Sequence, residues 1–299
     1  MNTVRDALVE AARMLSDLET PFLDAALLLA HTLGISKEKL LASYPEELPL
    51  SAQNEFRGYL KKRLSGYPIS YIRHKKEFLG LPFYVDERVL VPRPETETLV
   101  ELVMEYTDTV AALRNQKTPP EAGSTQQKPM KVLDLGTGSG CIAISLKYLR
   151  PVLDVTAADI SGAALKVCSM NSRHLLNEPL GMIKTDLFSG IEGKFDVIVS
   201  NPPYLTDSEV RDMESRHWPE PRQALSGGED GLDLIRIIID EAPRHLNDGG
   251  IIFLEAHIDQ IETIREVLIE KAYKNVHVYQ DLTGRNRVIS GKKPYAEPN

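Results

Sequence analysis

The segment with the clearest chemical potential is Asn201-Pro202-Pro203-Tyr204, which directly follows the apolar run 195–200. A planar NH₂ group is a poor nucleophile because its lone pair is delocalised, so methyl transfer to it requires acceptors that orient the nitrogen. The Asn201 side-chain oxygen and the Pro202 carbonyl can each accept one N–H, while the prolines stiffen the backbone and Tyr204 packs on the amide plane. We therefore predict that all four residues are catalytic and bind the substrate. The alternative is an ordinary turn, which Asn and Pro also favour.

A second segment, Gly136-Thr137-Gly138-Ser139-Gly140, lies between a strand pattern and a helical pattern that opens at Cys141. Glycines let the chain turn tightly and let a ligand approach the backbone. A dinucleotide fingerprint would place its third glycine at position 141, so the spacing favours the methyltransferase type of nucleotide site. Asp159, about 20 residues beyond the glycines, can accept hydrogen bonds from both hydroxyls of a ribose. The alternative is a simple tight turn, with Asp159 capping the helix that follows.

Asp186 and Leu187 are further candidates for the nucleotide site. They follow the place of the third strand, where Asp186 can accept hydrogen bonds from the amino group of an adenine. Leu187 or Phe188 can pack on the adenine ring. An Asp at such a place is commonly just a surface residue.

Strand and helix patterns alternate between Lys131 and Glu255. Such alternation predicts an α/β fold with a parallel sheet wrapped by helices, in which ligands bind at the carboxyl ends of the strands. The last two strand patterns, 276–280 and 287–290, have no convincing helix between them. We expect them to be antiparallel.

The remaining regions predict a second, smaller domain. Residues 1–75 have apolar residues at helical spacing, with Gly34 suited to a helix end, Ser36 to an N-cap and Ser51 to a helix start. Residues 76–91 predict a β-hairpin linker, and 92–299 the larger domain. Within that domain, residues 114–129 are rich in proline and polar side chains and predict a flexible insert.

Composition narrows the class of protein. The formal net charge of −8 argues against a protein that neutralises duplex nucleic acid. Cys141 and Cys168 are the only cysteines, with no metal-ligand spacing, so we expect no metal and a reducing, cytoplasmic compartment. No apolar run near the start is long enough for a membrane anchor.

The chain resembles the release factor glutamine N5-methyltransferase family over nearly its whole length. Besides the Asn-Pro-Pro-Tyr segment, five stretches carry the resemblance: Glu77–Phe83, Val91–Glu97, Glu220–Leu225, Gly227–Asp233 and Gly284–Arg287. The resemblance implies a seven-stranded Rossmann-like class I methyltransferase sheet and S-adenosyl-L-methionine as methyl donor, leaving S-adenosyl-L-homocysteine. It also implies methylation of the glutamine in the Gly-Gly-Gln motif of class I peptide chain release factors, which supports translation termination.

Residue by residue, the resemblance assigns the five residues of the glycine turn and Asp159 to the methyl donor, with Asp186, Leu187 and Asn201 beside it. It assigns the Asn-Pro-Pro-Tyr segment to the glutamine, and Arg93 to Glu95 to the border of the pocket. Two positions depart from the family pattern. Relatives often have an aromatic residue where this chain has Leu187, and a glycine shortly after Glu255 where it has Ala256 and His257.

Two other functions remain open at this point. The chain could methylate adenine or cytosine in nucleic acid, which would require a basic groove and extrusion of the base. It could also be a noncatalytic, ribosome-associated module that binds S-adenosyl-L-methionine, although the intact Asn-Pro-Pro-Tyr segment argues against this. We expect a monomer that binds release factors and has no membrane association and no stable nucleic-acid binding.

Overall fold

The computed structural model describes residues 3–117 and 128–293. Their contacts divide the chain into two units. The first comprises Met1–Lys75 together with Met213–Pro219, and the second comprises Lys76–Asp212 together with Glu220–Asn299. The sequence did not indicate that residues 213–219 group with the helical unit.

The described residues of the first unit form mainly helices. These are α1 (Val4–Met14), α2 (Pro21–Leu33), α3 (Lys37–Ala42), α4 (Leu50–Leu64) and α5 (Ile69–Ile72). Gly34 ends α2 at a φ of 65°, and the Ser36 side chain caps α3, so both predictions are confirmed. The predicted start at Ser51 is wrong by one residue, because α4 begins at Leu50 after Pro49. The apolar faces of these helices bury a common core that includes Leu8, Leu28 and Phe56.

The second unit is built on a seven-stranded sheet preceded by a small hairpin. Its strands are β1 (Lys76–Phe78), β2 (Leu81–Phe83), β3 (Lys131–Leu135), β4 (Asp154–Asp159), β5 (Gly181–Lys184), β6 (Phe195–Ser200), β7 (Leu246–Glu255), β8 (Lys274–Gln280) and β9 (Asn286–Lys292). The sheet order is β5-β4-β3-β6-β7-β9-β8. Strands β3 to β7 are parallel, and β9 is antiparallel to both β7 and β8, which confirms the predicted antiparallel ending.

Helices cover both faces of this sheet. They are α6 (Glu95–Lys117), α7 (Cys141–Leu149) and α8 (Gly162–Leu175) and, after the separate helix α9 (Asp207–Ser215), α10 (Asp233–His245) and α11 (Ile261–Glu270). Successive strand residues point to opposite faces, so Val132 belongs to the core under α6 and α7, whereas Leu133 belongs to the core under α10 and α11. The α/β sheet with helices on both faces is therefore confirmed. Among the described residues, no helix is long and apolar enough to cross a membrane.

The direction in which the chain leaves β3 locates the binding region. From β3 the chain builds outward through β4 and β5, and it then returns to add β6 and β7 on the other side. Ligands in open α/β sheets bind at such a switch point, outside the carboxyl ends of the strands. The turn after β3 and the loop after β6 therefore lie side by side.

Three elements differ from the sequence-based expectations. Strand pairing in the hairpin ends at Phe83, and residues 84–91 form no strand. Helix α6 continues to Lys117, into the expected insert 114–129, of which residues 118–127 lie outside the described part of the chain. The short strand β5 was not identified as a separate element.

Candidate active site

The glycine turn connects β3 to α7, and each of its glycines has a positive φ: 77° at Gly136, 55° at Gly138 and 84° at Gly140. A Cβ at Gly136 or Gly138 would meet nothing within 4 Å, so these two residues leave open space for a ligand. A Cβ at Gly140 would lie 2.6 Å from Cys168 Sγ and 2.6 Å from Ile144 Cδ1. A glycine is thus required at position 140 for packing. Glycines at positions 136 and 138 are required for the backbone conformation and for access of a ligand to the backbone.

Replacing Gly140 by alanine is expected to lower the free energy of unfolding by about 3 kcal/mol, because it adds overpacking to left-handed strain. The matched control is Gly193→Ala, which has a similar φ of 85° and no atom within 4 Å of the added methyl. It should cost about 1 kcal/mol. Urea unfolding of both variants measures the difference. Equal losses would show that Gly140 is not close-packed.

Hydrogen bonds to buried groups fix the shape of the turn. Thr137 Oγ1 donates to Asp134 Oδ2 at 2.6 Å, and the Ala143 backbone N–H donates to the same oxygen at 3.1 Å. The Ser139 carbonyl accepts from Asn171 Nδ2 at 2.9 Å. The side chains of Thr137 and Ser139 are buried, so they support the turn and do not line the open space.

Asp134 is fully buried, and its Oδ1 has no hydrogen-bond partner in the described part of the chain. Burial raises the pKa of Asp134 to about 7, although the hydrogen bonds from Thr137 and Ala143 act to lower it. The folded state therefore holds this proton to a higher pH than the unfolded state does. Its contribution to stability is complete below the unfolded pKa and is lost as the pH rises through about 7.

We expect Asp134→Asn to remove this pH dependence. Across the range from about pH 4 to pH 7, the wild type should lose up to about 4 kcal/mol of unfolding free energy relative to the variant, at 1.36 kcal/mol per pKa unit. Urea unfolding at a series of pH values measures the two slopes. Parallel slopes would contradict a raised pKa at this carboxyl.

Asp159, at the end of β4, faces the glycine turn. Its Oδ2 accepts the backbone N–H of Gly138 at 2.8 Å, and its Oδ1 accepts that of Ser161 at 2.8 Å. The cap of α8 is Ser161, whose hydroxyl accepts from Ala164, so Asp159 is not the helix cap that the alternative reading required. Burial raises the pKa of Asp159, and the backbone hydrogen bonds partly offset this rise.

A cavity of about 300 Å³ joins the turn after β3 to the loop after β6. Seven of the predicted site residues line it: Gly136, Gly138, Asp159, Asp186, Leu187, Asn201 and Pro203. Thirteen further lining residues were not assigned to the site from the sequence, and they include Val89, Leu90, Ile160, Gln223, Ala224 and Ser226. Gln223 lies inside Glu220–Leu225, one of the stretches that carried the family resemblance, so the sequence could have identified it as a site residue.

The other predicted residues lie outside the lining of this cavity. Phe188, the alternative partner for an adenine ring, is buried and stacks on His245 with ring centroids 4.7 Å apart, so Leu187 is the residue that faces the cavity. Pro202, Tyr204 and Glu95 are absent from the lining. Burial raises the pKa of Tyr204 to about 12, which keeps its phenol neutral.

Arg93 is held in place by a buried carboxylate. Its Nη2 lies 2.6 Å from Glu220 Oε2, while Glu220 Oε1 accepts the backbone N–H of Val91 at 2.9 Å. The Glu220 side chain is fully buried, so the pair fixes the segment before α6. A direct contact of Arg93 with substrate stays a prediction.

Asn201 follows β6 and has a defined side-chain orientation. Its Nδ2 donates to Thr96 Oγ1 at 3.0 Å, and within the described residues its Oδ1 accepts no hydrogen bond. Ser200 Oγ donates to the Leu135 carbonyl at 2.6 Å, which ties the ends of β6 and β3 together. The arrangement leaves one amide oxygen available beside the cavity, as required to orient a planar NH₂ group.

Asn171 is a contributor that the sequence did not reveal. Its side chain accepts the Tyr84 backbone N–H at 2.7 Å and donates to the Tyr84 carbonyl at 3.0 Å, in addition to its bond to Ser139. It thereby connects α8, the segment after the hairpin and the glycine turn. A single Asn on a predicted helix gives no signal of such a role.

Sequence comparisons identify relatives along nearly the whole chain. The family profile "PrmC N-terminal domain" matches residues 6–73, and "Methyltransferase small domain" matches residues 123–217. A release factor glutamine methyltransferase of Rhodopirellula baltica is 37% identical over 92% of this chain and 90% of its own length. The one from Moorella thermoacetica is 37% identical over 95% of this chain and 96% of its own length.

Structural comparisons agree on the fold. The hMettl16 catalytic domain, solved with an RNA hairpin, has a TM-score of 0.53 at 14% identity, covering 78% of this chain and 90% of that domain. A 16S rRNA N2 G1207 methyltransferase of T. thermophilus, solved with AdoMet and guanosine, has a TM-score of 0.50 at 18% identity, covering 73% of this chain and 49% of its own. These likenesses show a methyltransferase fold. With the glycine turn, Asp159 and Asn201 at one cavity and such relatives over nearly its full length, the chain belongs to the release factor glutamine methyltransferase family.

Proposed function

We propose that this protein transfers a methyl group from S-adenosyl-L-methionine to the side-chain amide nitrogen, N5, of the glutamine in the Gly-Gly-Gln motif of class I release factors. The observation that carries the proposal is one cavity that joins the turn at Gly136 and Gly138 to the oriented amide of Asn201. The relatives named release factor glutamine methyltransferase support the choice of substrate. Nucleic acid as the acceptor is not favoured, because the likeness to nucleic-acid enzymes concerns the fold alone.

The residues at the cavity fit the methyl donor. Gly136 and Gly138 present open backbone, and the Asp159 carboxylate can accept the hydroxyls of the ribose. Asp186 can accept hydrogen bonds from the adenine amino group, and Leu187 offers an apolar contact to its ring. When bound, S-adenosyl-L-methionine supplies an electrophilic methyl group on a sulfonium.

The loop after β6 supplies the acceptor side. Asn201 Oδ1 and the Pro202 carbonyl each accept one N–H of the glutamine amide, which holds the nitrogen lone pair towards the methyl group. Neutral Tyr204 packs on the amide plane, and Arg93 and Glu95 border this side. The nitrogen becomes acidic once the new bond forms, so no strong base is needed to remove its proton.

The same proposal extends to partners and compartment. We infer a cytoplasmic monomer whose macromolecular partner is the release factor, without stable nucleic-acid binding and without a metal. The net charge of −8 supports the absence of stable nucleic-acid binding, and the two buried, unpaired cysteines support a reducing compartment. We also infer that the helical unit, which the family model matches over residues 6–73, recognises the release factor.

Mass spectrometry of a purified release factor, incubated with the protein and labelled methyl donor, tests the proposal. We expect a single added methyl group, localised to the Gly-Gly-Gln glutamine. A Gln-to-Ala variant of that motif and duplex DNA serve as controls, and neither should gain label. Label in the DNA, with none in the release factor, would reassign the substrate and leave the fold in place.

A further inference from the structure

Glu255, the last residue of β7, is a buried carboxyl group behind the acceptor loop. It is 1% exposed, and its Oε2 has no hydrogen-bond partner among the residues described. Ser200 pairs with Leu254, so Asn201, directly after β6, and Glu255, at the end of β7, each follow this pair by one residue. Native proteins rarely leave a buried carboxylate oxygen unsatisfied. Its place beside the acceptor loop indicates a role there.

Thr96, in the first turn of α6, lies between these two residues. It is 2% exposed, and its Oγ1 accepts the hydrogen bond from Asn201 Nδ2 at 3.0 Å. The Thr96 hydroxyl also acts to lower the pKa of Glu255, which favours the ionised carboxylate. Asn201 and Thr96 are thus hydrogen-bonded, and Thr96 acts on Glu255; these three polar groups are called the amide relay below.

The direction of this chain decides which end of the Asn201 amide faces the substrate. A hydroxyl both donates and accepts, so Thr96 alone could accept from Nδ2 or donate to Oδ1. If the Glu255 carboxylate accepts a hydrogen bond from the Thr96 hydroxyl, Thr96 can only accept a hydrogen bond from the Asn201 amide. Asn201 Oδ1 is then turned to the substrate. Otherwise a flipped amide would direct its own NH₂ at the glutamine NH₂, and two hydrogen-bond donors would oppose each other.

We propose that Thr96 and Glu255 are positioning residues that set the orientation of the Asn201 amide through this relay. The inference rests on the proposed function, because it assumes an acceptor NH₂ beside Asn201. It assigns Thr96 and Glu255 no contact with substrate or methyl donor. It explains why a buried carboxyl group lies at the end of β7.

The relay also makes turnover depend on pH. Burial raises the pKa of Glu255 to about 7, although Thr96 and Arg287 act to lower it. The other titratable groups that act on or respond to Glu255 are Glu95, Arg93, Tyr204 and Cys141. A protonated Glu255 can donate to Thr96, which then donates to Asn201 and reverses the relay. Turnover should therefore fall as the pH falls through about 7.

The first test compares threonine variants of α6. We expect Thr96→Val to lower kcat for the release factor roughly 10- to 100-fold, with little change in methyl donor Kd, because only acceptor geometry is disturbed. Thr96→Ser should restore most of the rate. The control is Thr107→Val, since Thr107 is 3% exposed in the same helix and donates to the Met104 carbonyl instead. Calorimetric Kd values and melting temperatures show that each variant is folded.

The second test follows the pH profile of kcat in Glu255→Gln. The variant should lack the wild-type decline near pH 7, because its side chain does not titrate. Asp134 has a similar pKa, so its titration would be the cause of a decline in kcat that persists in Glu255→Gln. Such a decline would overturn the relay. Equal kcat values for Thr96→Val and Thr107→Val would also overturn it. A wild type without transfer to the release factor would instead refute the proposed function.

Discussion

Asn201→Ala is expected to lower the rate of methyl transfer about 10³-fold, because it removes the oxygen that orients the glutamine NH₂ in the transition state. The Kd of the methyl donor should stay within about twofold, since the glycine turn and Asp159 make no hydrogen bond to the Asn201 side chain. Single-turnover transfer to the release factor and calorimetric binding of the methyl donor measure the two quantities separately.

Asn247→Ala is the matched control for this variant. Asn247 is also half-buried and also donates through Nδ2, to Asp196 Oδ1 at 3.3 Å, but it lies near the start of β7, away from the cavity. It should leave transfer unchanged. If Asn201→Ala weakened methyl donor binding as much as it slowed transfer, Asn201 would be a residue of the donor site and the separation of roles would be wrong.

The parts of this site that could be predicted from sequence are those formed by neighbouring residues. The glycine turn after β3 and the loop after β6 each follow a buried apolar strand, and parallel strands bring their carboxyl ends to one edge of the sheet. That rule joins Gly138 to Asn201 without knowledge of the contacts. The short strand β5 was not predicted because none of its four residues is fully buried, so no apolar run marks it in the sequence.

The supporting contacts could not be predicted, because tertiary packing determines them. Thr96 is separated from Asn201 by 105 residues, and Asn171 from Tyr84 by 87. Thr96 lies in Val91–Glu97, one of the stretches that resemble the family. That resemblance indicates that Thr96 is important but not which residue it contacts. Its contact with Asn201 exists because α6 packs on the same sheet face as α7, near the ends of β6 and β7.

Asp159→Ala should raise the Kd of the methyl donor about 100-fold, through the loss of two charge-assisted hydrogen bonds to the ribose, each contributing about 1.5 kcal/mol. Asp154→Ala, at the exposed start of the same strand, is the control and should bind normally. Wild-type affinity should also fall at low pH, because the ionised carboxylate is the acceptor. Burial raises the pKa of Asp159, so this loss should begin at a higher pH than for an exposed Asp.

A methyl donor analogue without the ribose hydroxyls separates lost ribose contacts from a distorted turn, because Asp159 also accepts hydrogen bonds from Gly138 and Ser161. If Asp159 binds the ribose, the analogue should bind the wild type weakly, and Asp159→Ala should bind the analogue and the methyl donor equally. If the variant still distinguished the two ligands as strongly as the wild type, the effects of the substitution and of removing the ribose hydroxyls would be additive. Asp159 would then act by holding the turn, and the ribose would have another partner.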